Sequence, residues 1–321
     1  MLGVGHFAEG TWTALARRLE VTPGLRVDPH VRSASRRTPV SPFVPEVGLL
    51  RSDLRVEPRL ATSLALIPER WSLRAAAGRY HQFPQPGDVT AAFGNPQLGL
   101  PTARHLLAGT DVGLGGPLRL EVTAFRSRSE GLVVRNQAQS PPLAQALTND
   151  GEGRARGLQV LLRRSLQNRI FGWVAWTWSQ AERKDGPSTP WRRFDFDQTH
   201  VATGVLGWQP HTRWDLSLRA RYATGMPRTE VTGARYDALR DRFEPVFGAR
   251  NGVRLPDFLQ LDVRIAHTIP LRTGRLLAFL EVLNVSARDN AEEFVFSPDF
   301  QERAVISGLP LLPVVGLQWS F

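Results

Sequence analysis

The chain of 321 residues contains no cysteine, which excludes disulfide staples, thiolate metal sites and cysteine nucleophiles together. Hydrophobic residues make up 42% and charged residues 22%, an ordinary balance that does not enforce disorder. The 40 basic and 30 acidic side chains leave a formal charge of +10, and Lys184 is the single lysine. The arginines are scattered singly through apolar stretches rather than gathered on one stripe, so no nucleic-acid partner is expected. No apolar run approaches the roughly 18 residues of a helical membrane span.

Met1 to Glu9 lacks a charged leader region, a long apolar stretch and a small-residue cleavage site, so no signal peptide is expected. Strands are predicted at 8–18, 21–30, 54–66, 70–81, 103–113, 117–130, 155–166, 169–181, 199–209, 212–225, 257–268, 274–284 and 312–321. The evidence is period two. Leu118, Leu120, Val122 and Ala124 alternate with Arg119, Glu121 and Thr123. Trp214, Leu216, Leu218, Ala220 and Tyr222 alternate with Arg213, Asp215, Ser217, Arg219 and Arg221. Leu259, Leu261, Val263 and Ile265 alternate with Gln260, Asp262, Arg264 and Ala266, and Val315, Leu317, Trp319 and Phe321 close the chain. A helix of period 3.6 would scatter these charges around its axis, whereas a strand places them all on one face.

These runs approach the roughly 9–11 residues of a membrane-spanning strand, longer than the mean of about 5–6 in soluble domains. The apolar faces end in aromatics such as Trp176, Trp178, Trp208, Trp214, Trp319 and Phe321, as interfacial girdles do. Links alternate between short ones, such as Gln167-Asn168 and Pro210-His211, and long ones at roughly 31–53, 82–102, 131–154, 182–198, 226–256 and 285–311. The expectation is an all-β chain: a transmembrane antiparallel β-barrel segment of about 13 long strands, with short periplasmic turns and long external loops.

Several segments resemble the C-terminal barrel of TonB-dependent outer-membrane receptors. They are Gly308-Leu309-Pro310 through Gly316-Leu317-Gln318-Trp319-Ser320-Phe321, Leu255-Pro256-Asp257-Phe258-Leu259-Gln260-Leu261-Asp262-Val263-Arg264 and Leu280-Glu281-Val282-Leu283-Asn284-Val285. Asp197-Gln198-Thr199-His200, Gly78 through Pro86 and Phe93-Gly94-Asn95-Pro96-Gln97-Leu98 are similar to further strand and loop stretches of that family. The likeness covers about Gly10 to Phe321. It implies a single barrel domain over 1–321, placed in the cell outer membrane and taking part in uptake of siderophores, cobalamin or other scarce nutrients. Receptors of this kind also carry a plug domain, a TonB-binding box and a signal peptide, none of which is recognisable here, and their barrels have 22 strands. The resemblance therefore implies an incomplete barrel, with TonB engaged only through a missing N-terminal part.

Apolar-aromatic loop positions are the candidate ligand contacts: Tyr80, Phe83, Phe93 and Asn95 in one loop, and Tyr236, Asn251 and Arg254 in another. Phe243 and Phe247 lie in the second loop as well, and self-packing or lipopolysaccharide contact are alternative uses of both. External arginines, Arg192, Arg193 and Arg254, suit an anionic ligand or lipopolysaccharide phosphate. Val315, Leu317, Trp319 and Phe321 resemble the terminal pattern read by the barrel-insertion machinery. Expected partners are therefore outer-membrane lipid and lipopolysaccharide, that machinery, and a small-molecule or metal-chelate substrate. No cofactor is expected. Asp195, Asp197, Glu292 and Glu293 supply too few oxygens for calcium, so no metal is expected either.

The seven histidines form no i, i+4 pair, and no Gly-x-Ser-x-Gly elbow occurs. His200 near Asp197 is the nearest approach to a hydrolytic pair, with a polar pair at a strand start as its plainer reading. No catalytic residue is assigned. The alternatives held open are a porin-like passive channel and an outer-membrane hydrolase.

Overall fold

The computed structural model describes residues 2–34, 49–90, 94–141 and 144–321, and every regular element among them is a strand. Three short pieces, β1 (Leu2–Gly3), β2 (His6–Glu9) and β3 (Trp12–Ala14), each pair with β4 (Leu19–Ala34). They are followed by β5 (Leu49–Ile67), β6 (Trp71–His81), β7 (Thr102–Gly115), β8 (Leu118–Arg135), β9 (Leu147–Gln167) and β10 (Ile170–Lys184). After the two-residue β11 (Arg192–Arg193) come β12 (His200–His211) and β13 (Trp214–Ala223). A long connection then carries β14 (Pro227–Arg228), β15 (Val231–Asp237), β16 (Arg242–Phe247) and β17 (Val253–Arg254). The chain ends with β18 (Phe258–Leu271), β19 (Gly274–Leu283), the hairpin of β20 (Ala291–Phe296) and β21 (Arg303–Ser307), and β22 (Leu312–Ser320). The large sheet runs in the order β1-β4-β5-β6-β7-β8-β9-β10-β12-β13-β18-β19-β22.

The thirteen positions of that order agree with the strand count expected from alternation. The predicted first strand, 8–18, is corrected. It stops at Ala14, because Leu15, Ala16 and Arg17 take φ of 52, 55 and 64° and turn the chain into β4. Several strands outrun their predicted bounds, with β9 spanning 147–167 where 155–166 was expected. The short link between β9 and β10 is Asn168-Arg169, with φ of 53 and 65°. Positive φ at both positions gives the turn the twist that two-residue hairpins require.

The chain divides into two compact units: Met1–Thr110, Thr123–Arg156 and Ala181–Arg192 form one, and Asp111–Val122, Gly157–Gln180 and Arg193–Phe321 the other. In the second unit the two faces of the sheet are clearly different. Leu216, Ile265, Leu280 and Val315 lie in one row across four strands, and Leu206, Leu218 and Val263 in another. Leu206, Leu218, Ile265, Leu280 and Val315 are exposed, a contiguous apolar surface that a water-soluble sheet would have to cover. The opposite face carries the charges, paired with one another. Arg264 reaches Glu281 at 3.3 Å and lies 3.8 Å over the Phe279 ring, and Gln209 donates to Asp215 at 2.7 Å. Beside the short turns of this unit, Trp208, Trp214 and Trp319 are exposed on the apolar side.

Candidate functional site

In the first unit, β4 and β5 place a ladder of charged side chains on one face toward the long-loop ends. Arg26 faces Glu57, Asp28 faces Arg55, His30 faces Asp53 and Arg32 faces Arg51. Ion pairs close between Arg26 and Asp28 at 2.7 Å, Arg51 and Asp53 at 2.9 Å, and Arg55 and Asp53 at 3.3 Å. The connection after β6 is tied onto the ends of this ladder. Arg32 Nη2 donates to the Leu98 carbonyl at 2.6 Å, and Arg51 Nη1 donates to the Gln97 carbonyl at 2.6 Å. Asn149 accepts from the Gly99 N–H at 2.6 Å and donates to the Gly131 carbonyl at 2.7 Å. Pro96 and Leu98 are buried by this folding.

Several side chains in this region, Arg55 and His81 among them, keep unused hydrogen-bonding capacity, and His30 and Arg32 are the two of these that are buried as whole residues. Arg32 is only 4% exposed, yet its Nε and Nη1 have no partner among the described residues. His30, two residues before it on the same face and 2% exposed, has no partner for either ring nitrogen. A buried polar group left unpaired costs about 1–3 kcal/mol, more when charged, so this pair is held in place against a penalty. The Phe83 ring covers His30 at a centroid distance of 4.2 Å.

The expected contacts of this loop have different placements. Phe83 joins the His30–Arg32 pair, whereas Tyr80 packs on His105 at 4.9 Å, and both aromatic rings are partly exposed. Asn95 holds the loop, donating to the Leu147 carbonyl at 2.8 Å and accepting from the Gln97 N–H at 2.8 Å. Phe93 lies outside the described residues. His30, Arg32 and Arg51 escaped the sequence reading because nothing in a strand's own pattern says which of its charges a distant loop will cover.

In the second unit, Arg254 is the centre of a clamp. Its Nη1 donates to the carbonyls of Asp197 at 2.7 Å and Gly225 at 2.8 Å, while Nη2 donates to the Asp197 carboxylate and to Thr199 Oγ1. A Cβ on Gly225 would fall on the Leu255 carbonyl oxygen, so only glycine permits this close approach. Asn251, at φ 58°, donates from Nδ2 to the Arg193 carbonyl at 2.8 Å and to Asp195 Oδ1 at 2.6 Å. Asn251 and Arg254 are thus brought together as ties between loops. Tyr236 is separate from them on the β15–β16 hairpin, where its hydroxyl donates to Asp241 at 2.6 Å and its ring meets Phe243 at 5.2 Å. That bond to a carboxylate raises the Tyr236 pKa above the ordinary phenol value.

Asp257, beside the clamp, accepts from the Tyr222 hydroxyl at 2.7 Å and the Gly225 N–H at 3.1 Å, which hold its carboxyl below the usual range. Glu293 is likewise lowered, chiefly by Arg228, whose Nε donates to it at 2.7 Å. Asn284 and Asn290, not singled out as site residues, are buried ties. Asn284 donates to the carbonyls of Arg288 and Leu309, and Asn290 brackets the backbone of Leu259. The His200 ring stacks on Trp176 at 5.9 Å, while the Asp197 carboxylate meets Arg254. The terminal residues Val315, Leu317, Trp319 and Phe321 are all exposed along and beyond β22.

A family model described as TonB dependent receptor-like, beta-barrel matches residues 2–285. The sequence has no match among curated proteins. Among solved structures, the ferric-catecholate import receptor Fiu of E. coli K12 aligns at TM-score 0.67 with 15% identity, covering 98% of this chain and 44% of that one. The ferric citrate transporter FecA in its unliganded form aligns at 0.66 with 18% identity, covering 99% and 44%. The copper transporter OprC aligns at 0.69 with 16% identity, covering 99% and 48%. The chain thus spans less than half the length of these structures, and at such identities the likeness is one of fold.

Proposed function

Because this chain belongs to the TonB-dependent receptor-like β-barrel family and so to the cell outer membrane, we propose that it supplies part of a receptor barrel taking up an anionic small molecule or metal chelate. The observation that carries the reading is the His30–Arg32 pair, buried beneath a loop at the outer end of a polar strand face: Arg32 Nε and Nη1 and both His30 ring nitrogens have no partner among the described residues, while Arg32 Nη2 holds the loop. An oxygen-rich anion would use those donors in a setting where each charge-assisted bond is worth more than in water. Ferric catecholate, ferric citrate and copper are the cargo named for the similar structures Fiu, FecA and OprC, and the two ferric chelates make a metal chelate the first ligand to try.

The aromatic loop residues Tyr80, Phe83, Phe93 and Tyr236, with Asn95, Asn251 and Arg254, complete the proposal as the outer surface that such a ligand meets. The ties that Asn251 and Arg254 make between loops cast them as supports of that surface more than contacts. TonB would act through a portion of the receptor outside this chain, and lipopolysaccharide would contact the outer arginines. The exposed row Val315, Leu317, Trp319 and Phe321 fits a segment read by the barrel-insertion machinery.

The test is calorimetric titration of the detergent-purified protein with ferric citrate. Binding that falls at least tenfold in Arg32→Gln and in His30→Ala, and is unchanged in Arg221→Gln on another strand, supports the reading. Equal affinity in all four proteins would refute it.

A further inference from the structure

The apolar side of the sheet in the second unit carries a groove of about 370 Å³ that the uptake reading does not use. Its wall is aliphatic, from Leu118, Leu162, Val174, Leu206 and Leu218, and its floor is opened by Gly172, Gly204 and Ala220. At Gly204 the space is real. A Cβ there would meet only Val174 and the Trp173 carbonyl, at 3.5 and 3.7 Å, both ordinary contacts. Arg164 also lines the groove, the one charged residue to do so.

Arg164 lies four residues before Asn168 of the short Asn168-Arg169 turn, and Leu162 precedes it on the same face. The register of the neighbouring strands sets Ile170 beside Trp208, and Trp208 beside Leu216. The arginine therefore shares the turn-proximal end of the apolar face with the exposed tryptophans, the depth at which aromatic girdles meet lipid headgroups. One of its nitrogens, Nη2, donates to the Gln167 carbonyl at 3.2 Å. Its Nε is enclosed and has no acceptor among the described residues, and no carboxylate of those residues pairs with it. A cation on a lipid-facing surface calls for an anion, and neither the strand nor its neighbours provides one.

We infer that this groove binds one glycerophospholipid of the periplasmic leaflet, an acyl chain lying over Gly204 and Gly172 and the phosphodiester on Arg164. Short turns face the periplasm in outer-membrane barrels, so the leaflet follows from where Arg164 sits. The guanidinium offers its free Nη hydrogens to the phosphate. The groove accounts for the chain below it without any polar contact. The headgroup beyond the phosphate is not read by any residue here, so phosphatidylglycerol and phosphatidylethanolamine share the site.

The experiment is native mass spectrometry of the detergent-purified full chain, titrated separately with phosphatidylglycerol, phosphatidylethanolamine and diacylglycerol. The wild type is expected to retain one molecule of either phospholipid and no diacylglycerol. Arg164→Gln should lower retention at least fivefold, Arg164→Lys should restore part of it, and Arg163→Gln, on the opposite face, should leave it unchanged. Gly204→Leu, which fills the floor, should lower it with Arg164 intact. Equal retention by wild type and Arg164→Gln, or diacylglycerol held as well as phospholipid, would overturn the inference. If Gly204→Leu fails to fold, the pair Arg164→Gln and Arg164→Lys still decides it.

Discussion

Arg219 and Asp262 face each other across β13 and β18, with Nε and Oδ2 3.0 Å apart. They are unequal partners. Asp262 is 4% exposed and also accepts from Gln260 Nε2 at 2.8 Å and from the Asn284 N–H at 2.9 Å, whereas Arg219 remains more than half exposed. One carboxylate therefore organises the polar side of two strands and the start of the last long connection.

That inequality predicts an asymmetric response to mutation. Asp262→Ala leaves the Asn284 N–H and the Gln260 amide unpaired and should cost about 2–3 kcal/mol. Arg219→Ala leaves Asp262 two donors, and as a solvent-screened partner it should cost about 1 kcal/mol or less. Urea titration of the protein refolded into lipid vesicles measures both; equal costs would contradict the assignment.

The two faces should respond oppositely to an added charge. Leu218→Arg, on the apolar face near the middle of β13, should cost about 2–4 kcal/mol in a bilayer. Ser217→Arg, one residue away, enters the polar face opposite Arg264, where like charge across the strands costs about 0.2–1 kcal/mol. The same vesicle titration compares them, and similar values would show the faces to be misassigned.

The Arg254 clamp should be a local structure. Arg254→Ala abandons the buried Asp197 carboxylate and two carbonyls, a loss on the order of 3 kcal/mol to the loops that meet there. Hydrogen exchange should show the Thr224 to Thr229 and Asp195 to Thr199 segments losing protection while β18 and β19 keep theirs. Protection lost evenly over the sheet would mean that the clamp supports the whole unit.

Acid should open the same region. The carboxyls of Asp257 and Glu293 are lowered in the folded protein, so they contribute stability that is fully present above their unfolded values near 4. That contribution is lost as pH falls from about 4 through the folded values. Protection of the Gly225 amide, which donates to Asp257, should fall in this window and not between pH 5 and 8. The Asp257→Asn protein should lack the transition.

Much of the fold was legible because a strand's period is local. Trp214 to Tyr222 and Leu259 to Ile265 announce their faces without knowing their neighbours, and the structure sets them side by side. The break in the N-terminal strand was less legible, since it depends on positive φ at Leu15, Ala16 and Arg17, none of which is a residue that favours it. The hairpins β15–β16 and β20–β21 were hidden inside long links, where mixed polar and aromatic residues show no sustained alternation. The loop ties could not be read at all. Arg254 meets a carboxylate 57 residues away and Arg32 a carbonyl 66 residues away, and neither partner has a sequence mark that identifies it.

The central claim, a sheet that crosses the outer membrane with short turns inside and long loops outside, is tested most directly by labelling single cysteines on intact cells. The chain has no cysteine of its own, so each introduced thiol is read without background. Leu239→Cys sits between β15 and β16 at 99% exposure, and Asn168→Cys sits in the short turn between β9 and β10. A membrane-impermeant maleimide should label the Leu239→Cys protein on intact cells and the Asn168→Cys protein only after the outer membrane is permeabilised. Labelling of Asn168→Cys on intact cells, with Leu239→Cys protected, would contradict the account.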